Sequence, residues 1–172
     1  MNLLSKLYSI IHKPETQVQY QNRLKSLGVK LGANCRIFSN IAGPEAYLIS
    51  LGNNVTVATG VRLITHDNSI SKPLPEFSDL FGRITIEDNC FIGAYSIILC
   101  GVTIGKNSII GAGSLVVKSV PSGEIWGGVP AKKIGLVKDF ANKNYNYGIC
   151  TRGMSYEEKK ELLLKSGRLL QK

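Results

Sequence analysis

Few side chains in this chain could move a proton near neutral pH. It has two histidines, His12 and His66. Imidazole changes charge closest to neutrality, so a base is sought there first. His66 stands in the segment Ile64-Thr65-His66-Asp67. Asp67 follows it directly, but neighbours in an extended chain point to opposite sides, so a direct Asp67–His66 dyad is not expected. His12 belongs to Met1–His12, which reads as a short amphipathic helix, and it is expected at the surface. Metal chemistry finds little support. The four cysteines show no metal spacing, and two histidines cannot complete a three-histidine zinc site.

The elements that must position His66 follow a six-residue rhythm. Hexads start at Ile86, Ile92, Ile98, Ile104, Ile110 and Val116, all aliphatic, and their fifth positions (Cys90, Ser96, Val102, Ser108, Ser114, Val120) are small or β-branched. Neither a helix nor an alternating strand has that period. A period of six predicts a β-helix in which each hexad supplies one short strand and a corner, three to a turn, with the first positions stacked inside. Leu31, Ile37, Leu51, Val57 and Leu63 extend the pattern toward the N-terminus. The step from Ile37 to Leu51 is fourteen residues rather than twelve, which predicts a small excursion around Gly43-Pro44-Glu45. Leu80-Phe-Gly-Arg-Ile-Thr reads as the hexad before Ile86, leaving residues 69–79 as a loop thrown out of the coil. His66 therefore sits where the rhythm breaks.

The pattern divides the chain into residues 1–28 (helical), 29–137 (coil) and 138–172 (loop and helix), a mainly β protein. A second helical stretch is expected over 15–27, stopped by Gly28. The capping-box match Ser155-Tyr-Glu-Glu158 predicts a terminal helix from about residue 155 to 170. Helices at both ends would blunt the exposed backbone edges of a coil. Eighteen glycines suit corners that need positive φ. Cys35 and Cys90 fall at small fifth positions and read as buried thiols in a reducing, cytoplasmic setting. The opening segment is too short to span a bilayer and lacks a small-residue cleavage site. The net charge of +9 carries no nucleic-acid motif with it, which leaves an anionic phosphate-bearing ligand or a weak association with an anionic membrane surface.

The stretch Val102-Thr-Ile-Gly-Lys-Asn-Ser-Ile-Ile-Gly-Ala-Gly-Ser-Leu-Val-Val-Lys-Ser-Val-Pro, followed by Gly127-Gly-Val-Pro-Ala-Lys-Lys-Ile134, resembles the C-terminal coil of hexapeptide-repeat acyltransferases. Ile64-Thr-His-Asp67 is similar to their active-site segment. The maltose/galactoside O-acetyltransferase branch fits best, and within it the polysaccharide and capsule enzymes. The resemblance covers roughly residues 28–137. It implies a left-handed parallel β-helix, a homotrimer with active sites between subunits, and acetyl-CoA as co-substrate with no metal.

Such a reaction starts from an activated thioester, so the enzyme must chiefly make a hydroxyl nucleophilic. The resemblance gives that role to His66 as general base. Asp67 is assigned to the acceptor or to organising the loop, with a turn aspartate bonding its own backbone as the alternative. The group that orients His66 cannot be named from the residues; a main-chain carbonyl or a neighbouring subunit would serve. The oxyanion donor falls near Gly93-Ala94, where relatives often carry serine and Ala94 offers only its N–H. Phe91, where many relatives have Trp, is placed against the pantetheine arm, and Gly111-Ala112 would let that arm approach the backbone. Lys118, Lys132 and Lys133 stand where relatives hold the phosphates. Trp126 is read as packing near the same end. The expected function is acetyl transfer to a hydroxyl of a sugar or glycan precursor, of polysaccharide rather than free-sugar type because the N-terminal region differs from that of maltose-type relatives. N-acetylation of a nucleotide-linked amino sugar and a non-catalytic β-helix scaffold are the alternatives.

Overall fold

Strands of two or three residues, one per hexad, wind through the middle of the chain. The computed structural model describes residues 15–170, so His12 and the Met1–His12 stretch lie outside the described residues. Three faces result. Lys30–Leu31, Ile49–Leu51, Ile84–Ile86 and Thr103–Ile104 stack on the first, and Arg36–Ile37, Thr56–Val57, Phe91–Ile92, Ile109–Ile110 and Glu124–Gly128 on the second. Arg62–Leu63, Ile97–Ile98 and Leu115–Val116 form the third. Every one of these pairings is parallel, with like positions in register: Leu51 opposite Ile86, Val57 opposite Ile92, Leu63 opposite Ile98. The chain visits the faces in a fixed order, which is a parallel β-helix.

Burial explains the rhythm. Ile86, Ile92, Ile98, Ile104, Ile110 and Val116 are each 0% exposed and form the interior column. Each such side chain contributes about 1.5–3 kcal/mol of burial. The fifth positions are buried beside them, where only small or β-branched groups fit between coils. Ser96 and Ser114 donate to the carbonyl of Gly111, and Ser108 donates to that of Pro121, so the buried hydroxyls are all partnered.

One edge departs from the glycine expectation. Between the first and second faces the left-handed positions are held by Asn34, Asn54, Asn89 and Asn107, with φ between 56° and 58°. Asparagine tolerates this region, and here it adds a ladder. Asn54 Nδ2 donates to Asn89 Oδ1 at 3.1 Å, and Asn89 Nδ2 donates to Asn107 Oδ1 at 3.2 Å.

Two interruptions break the coil. Between Ile37 and Ile49 no third-face strand forms; the chain bulges through Gly43 and Pro44 into a 3₁₀ turn, Ala46–Leu48. The second interruption is longer than the hexad count implies. Leu80–Phe81 is not a coil strand: it pairs antiparallel with His66–Asp67, and both Leu80 and Phe81 are exposed. The coil resumes only at Ile84. Leu80 has the aliphatic type of a first position, but its hydrogen-bonding partner is the outgoing arm of the same loop. A 3₁₀ turn, Asn68–Ser71, starts the loop between those arms.

The ends are covered. Helix α1, Gln17–Ser26, has a capping box between Thr16 and Gln19 and buries Tyr20 and Leu24 against the first coil. Its Gln17 and Gln21 donate to the carbonyls of Ile37 and Cys35, which would otherwise be an open sheet edge. At the other end Ala131–Leu136 folds back antiparallel on Glu124–Gly128. Helix α2, Val137–Asn144, and helix α3, Tyr156–Lys165, follow, the latter opened by a Ser155–Glu158 capping box. Cys35 and Cys90 are buried. Among the described residues no helix is long and apolar enough to cross a membrane.

Candidate active site

His66 opens the long loop, on the strand that leaves the third face. Its ring packs near Phe81, 6.2 Å between centroids, which the returning arm places opposite it. Its Nδ1 lies 2.9 Å from Oε2 of Glu45. The same oxygen accepts a hydrogen bond from Thr65 Oγ1 at 2.9 Å. Glu45 comes from the first interruption, so the two departures from the rhythm meet here. Its side chain is 15% exposed and that of His66 is 40% exposed.

The electrostatics fix the tautomer. Hydrogen bonding by His66, then by Thr65, holds the Glu45 carboxyl below the usual carboxylate range. An ionised carboxylate only accepts, so Nδ1 carries the proton. In the neutral ring the lone pair is then on Nε2, and no described residue bonds that nitrogen. The arrangement is an oriented base with a free reactive nitrogen. Sequence reasoning missed Glu45 because the contact joins residues 21 apart across the coil. The two-residue excess around Gly43 marked its segment but not its task.

Asp67 takes no part in this pair. Its Oδ1 accepts from the Ser69 N–H at 2.9 Å, capping the 3₁₀ turn, and that bond lowers its pKa. It organises the start of the loop.

Of the remaining candidate residues all but Lys118 lie on two other parts of the prism. Gly93-Ala94 and Gly111-Ala112 stack on the corner that precedes the third face, whereas His66 lies on the corner that follows it. A Cβ on Gly93 would sit 2.5 Å from Ala112 N, so coil stacking alone demands glycine there. At Gly111 the nearest atom would be 3.6 Å away, and packing demands nothing. No described hydrogen bond uses the Ala94 N–H. Phe91 faces outward on the second face, 43% exposed, in line with Thr56 and Ile109. Lys132 and Lys133 lie on the closing strand of that face, opposite Gly127 and Trp126. Lys133 Nζ is 2.6 Å from Glu124 Oε1, and Trp126 Nε1 donates to the other Glu124 oxygen. Lys118 follows Leu115–Val116 on the His66 corner, so one chain does not bring it to Lys132 and Lys133.

A cavity of about 380 Å³ adjoins His66. A larger one, about 950 Å³, lies in the C-terminal segment between Asn144 and Arg168 and contains none of these residues. Size does not decide here: only the smaller cavity has an oriented base. Among the described residues no cluster of His, Cys, Asp and Glu could hold a metal ion.

Comparison with known proteins bears on the fold and the family. The family pattern described as bacterial transferase hexapeptide (six repeats) matches residues 83–118, and that described as the hexapeptide repeat of succinyl-transferase matches residues 28–64. Protein CapG of Staphylococcus aureus is 48% identical over 150 residues, covering 84% of this chain and 87% of that protein. A maltose O-acetyltransferase from Clostridium difficile 630 superposes with TM-score 0.60 at 26% identity, over 77% of this chain and 83% of the other. A galactoside acetyltransferase in complex with coenzyme A gives TM-score 0.56 at 27% identity, over 78% of each chain. This chain belongs to the hexapeptide-repeat acetyltransferase family.

Proposed function

We propose that this chain moves an acetyl group from acetyl-CoA to a hydroxyl of a sugar or glycan precursor, with His66 as the general base. The observation that carries the reading is the Glu45–His66 contact of 2.9 Å, anchored by Thr65. The thioester supplies an already activated acetyl group. Nε2 of His66 takes the proton of the acceptor hydroxyl as its oxygen attacks the carbonyl carbon. Glu45 stabilises the imidazolium that results, and the ring returns its proton to the departing sulfur. The unpaired Ala94 N–H suits the oxyanion, a backbone donor in place of a serine hydroxyl.

The donor's path is read along the second face and its corner. Phe91 offers an aromatic surface to the pantetheine arm, and Gly111, unlike Gly93, is a glycine that packing does not explain. Beyond them Lys132 has no ion-pair partner among the described residues and is the better phosphate ligand, since Lys133 is engaged by Glu124. The galactoside acetyltransferase complex supports coenzyme A as the ligand class.

This path and His66 lie on different corners of one prism, and a second copy closes that gap. We therefore read the enzyme as a homotrimer of left-handed coils with each site shared between copies, Lys118 of one copy facing the donor path of the next. A polysaccharide-type acceptor is preferred to free-sugar acetylation because the N-terminal region differs from that of maltose-type relatives, and the unpaired buried thiols of Cys35 and Cys90 suit a cytoplasmic enzyme.

The test is thiol release from acetyl-CoA over a panel of sugars, amino sugars, nucleotide sugars and lipid-linked glycans. Release with hydroxyl acceptors is the expected result. Release confined to amino sugars would replace O-transfer by N-transfer, and no release with any member contradicts the reading.

A further inference from the structure

Arg62 lines the cavity beside His66, and the catalytic reading leaves it without a task. It is the outward residue of the strand Arg62–Leu63, whose Leu63 points into the core. Its neighbours on that face are Ile97 and then Leu115, both apolar, so the sheet offers its guanidinium no counter-charge. No hydrogen bond or ion pair to it exists among the described residues. The cavity itself is lined by Asn40, Gly43, Pro44, Thr65 and His66 together with Arg62, and no carboxylate side chain is among its lining residues. The nearest, Glu45, is engaged by Thr65 and His66.

That inventory selects a ligand. A neutral sugar presents many hydroxyl donors and needs acceptors around it. Here Thr65 already donates to Glu45, the Asn40 amide oxygen already lies 3.5 Å from the Tyr20 hydroxyl, and the Nε2 lone pair of His66 is taken by the reacting hydroxyl, so the side chains of the wall leave few acceptors for the rest of a sugar. Arg62 instead presents five donors in a fork that matches a carboxylate or a phosphate. At about 380 Å³ the cavity is at the small end of ligand sites. A charge held by Arg62 is therefore carried on or next to the sugar whose hydroxyl reaches His66.

We propose that the acceptor bears an anionic group, a sugar carboxylate or a phosphate ester, and that Arg62 binds it within the cavity beside His66. The proposal rests on His66 marking the acceptor site, as argued above. It also gives part of the chain's positive charge a specific partner.

The experiment compares matched acceptors, glucose against glucuronic acid and glucose against glucose 1-phosphate, with the full chain, Arg62→Gln and Arg62→Lys. Steady-state transfer is run beside calorimetric binding in the absence of acetyl-CoA. The expected result is at least about a tenfold preference of the wild type for one charged member. Arg62→Gln removes that preference by raising KM for the charged acceptor, Arg62→Lys keeps part of it, and KM for acetyl-CoA does not move. The pair that responds identifies carboxylate or phosphate. Equal use of charged and neutral members, an equal loss on both in Arg62→Gln, or no binding of either charged member overturns the proposal. A raised KM for acetyl-CoA also overturns it, by assigning Arg62 to the donor. A charge preference in binding without transfer leaves this inference standing and removes the acetyl-transfer reading instead.

Discussion

Glu45 and His66 are contributed by the two places where the hexad rhythm fails, and Glu45 Oε2 lies 2.9 Å from His66 Nδ1. A regular coil has identical corners and no reason to orient one imidazole. Here the fourteen-residue step supplies the carboxylate and the extruded loop supplies the base, on neighbouring turns of the same prism. The interruptions build the site and the regular coils carry it.

Glu45→Gln tests that partnership. The amide keeps the shape but loses the charge that stabilises an imidazolium. We predict a fall in kcat of about 10- to 100-fold, less than the ~10²–10⁴-fold contribution of a positioned base. KM for acetyl-CoA should stay within twofold, measured by initial rates of thiol release. An unchanged kcat would assign Glu45 to loop packing alone.

Acid stability follows from the carboxylates. Glu45, Asp88 and Glu124 all have pKa values lowered in the fold, chiefly by His66, by the Asn53 N–H and by Lys133 respectively. A depressed carboxyl stabilises the fold above its unfolded pKa and loses that contribution as pH falls through its folded value. Tm should therefore be flat between about pH 5 and 8 and decline below about pH 4. Glu124→Gln should lower Tm on the plateau and converge with the wild type in acid. A Glu124→Gln deficit that is constant with pH would rule out the Lys133 pairing as its cause.

Gly93 and Gly111 should separate folding from binding. Gly93→Ala puts a methyl 2.5 Å from Ala112 N and is predicted to cost about 1–3 kcal/mol, read by denaturant unfolding. Gly111→Ala meets nothing closer than 3.6 Å, so Tm should hold while KM for acetyl-CoA rises several-fold. If Gly111→Ala is kinetically silent, the donor does not pass that corner.

A site shared between copies can be reconstituted. His66→Ala and Gly111→Trp should each be inactive alone. Co-expressed, they should regain roughly a quarter of wild-type activity, because a random cyclic assembly pairs an intact His66 edge with an intact Gly111 edge at about one site in four. No recovery from verified mixed assemblies would place the whole site within one chain.

The coil was legible because its interior accepts one residue type per position. Ile86, Val57 and Leu63 fall where the period puts them. Leu80 misled for the converse reason: periodicity reports residue type, whereas Leu80 is held by its strand partner Asp67 in the loop. The corner asparagines are harder to read, because positive φ is most readily taken by glycine and an asparagine is as common in ordinary loops. His66 was legible from the break. Glu45 was not, since nothing local says which turn a bulge will touch. Arg62 was hidden at an outward position, where the repeat leaves side-chain type free.

The most direct measurement is acetyl transfer by purified His66→Ala with its Tm and coenzyme A binding shown to be intact. The account predicts a loss of at least about 100-fold in kcat with KM for acetyl-CoA unchanged. Transfer at the wild-type rate would contradict it.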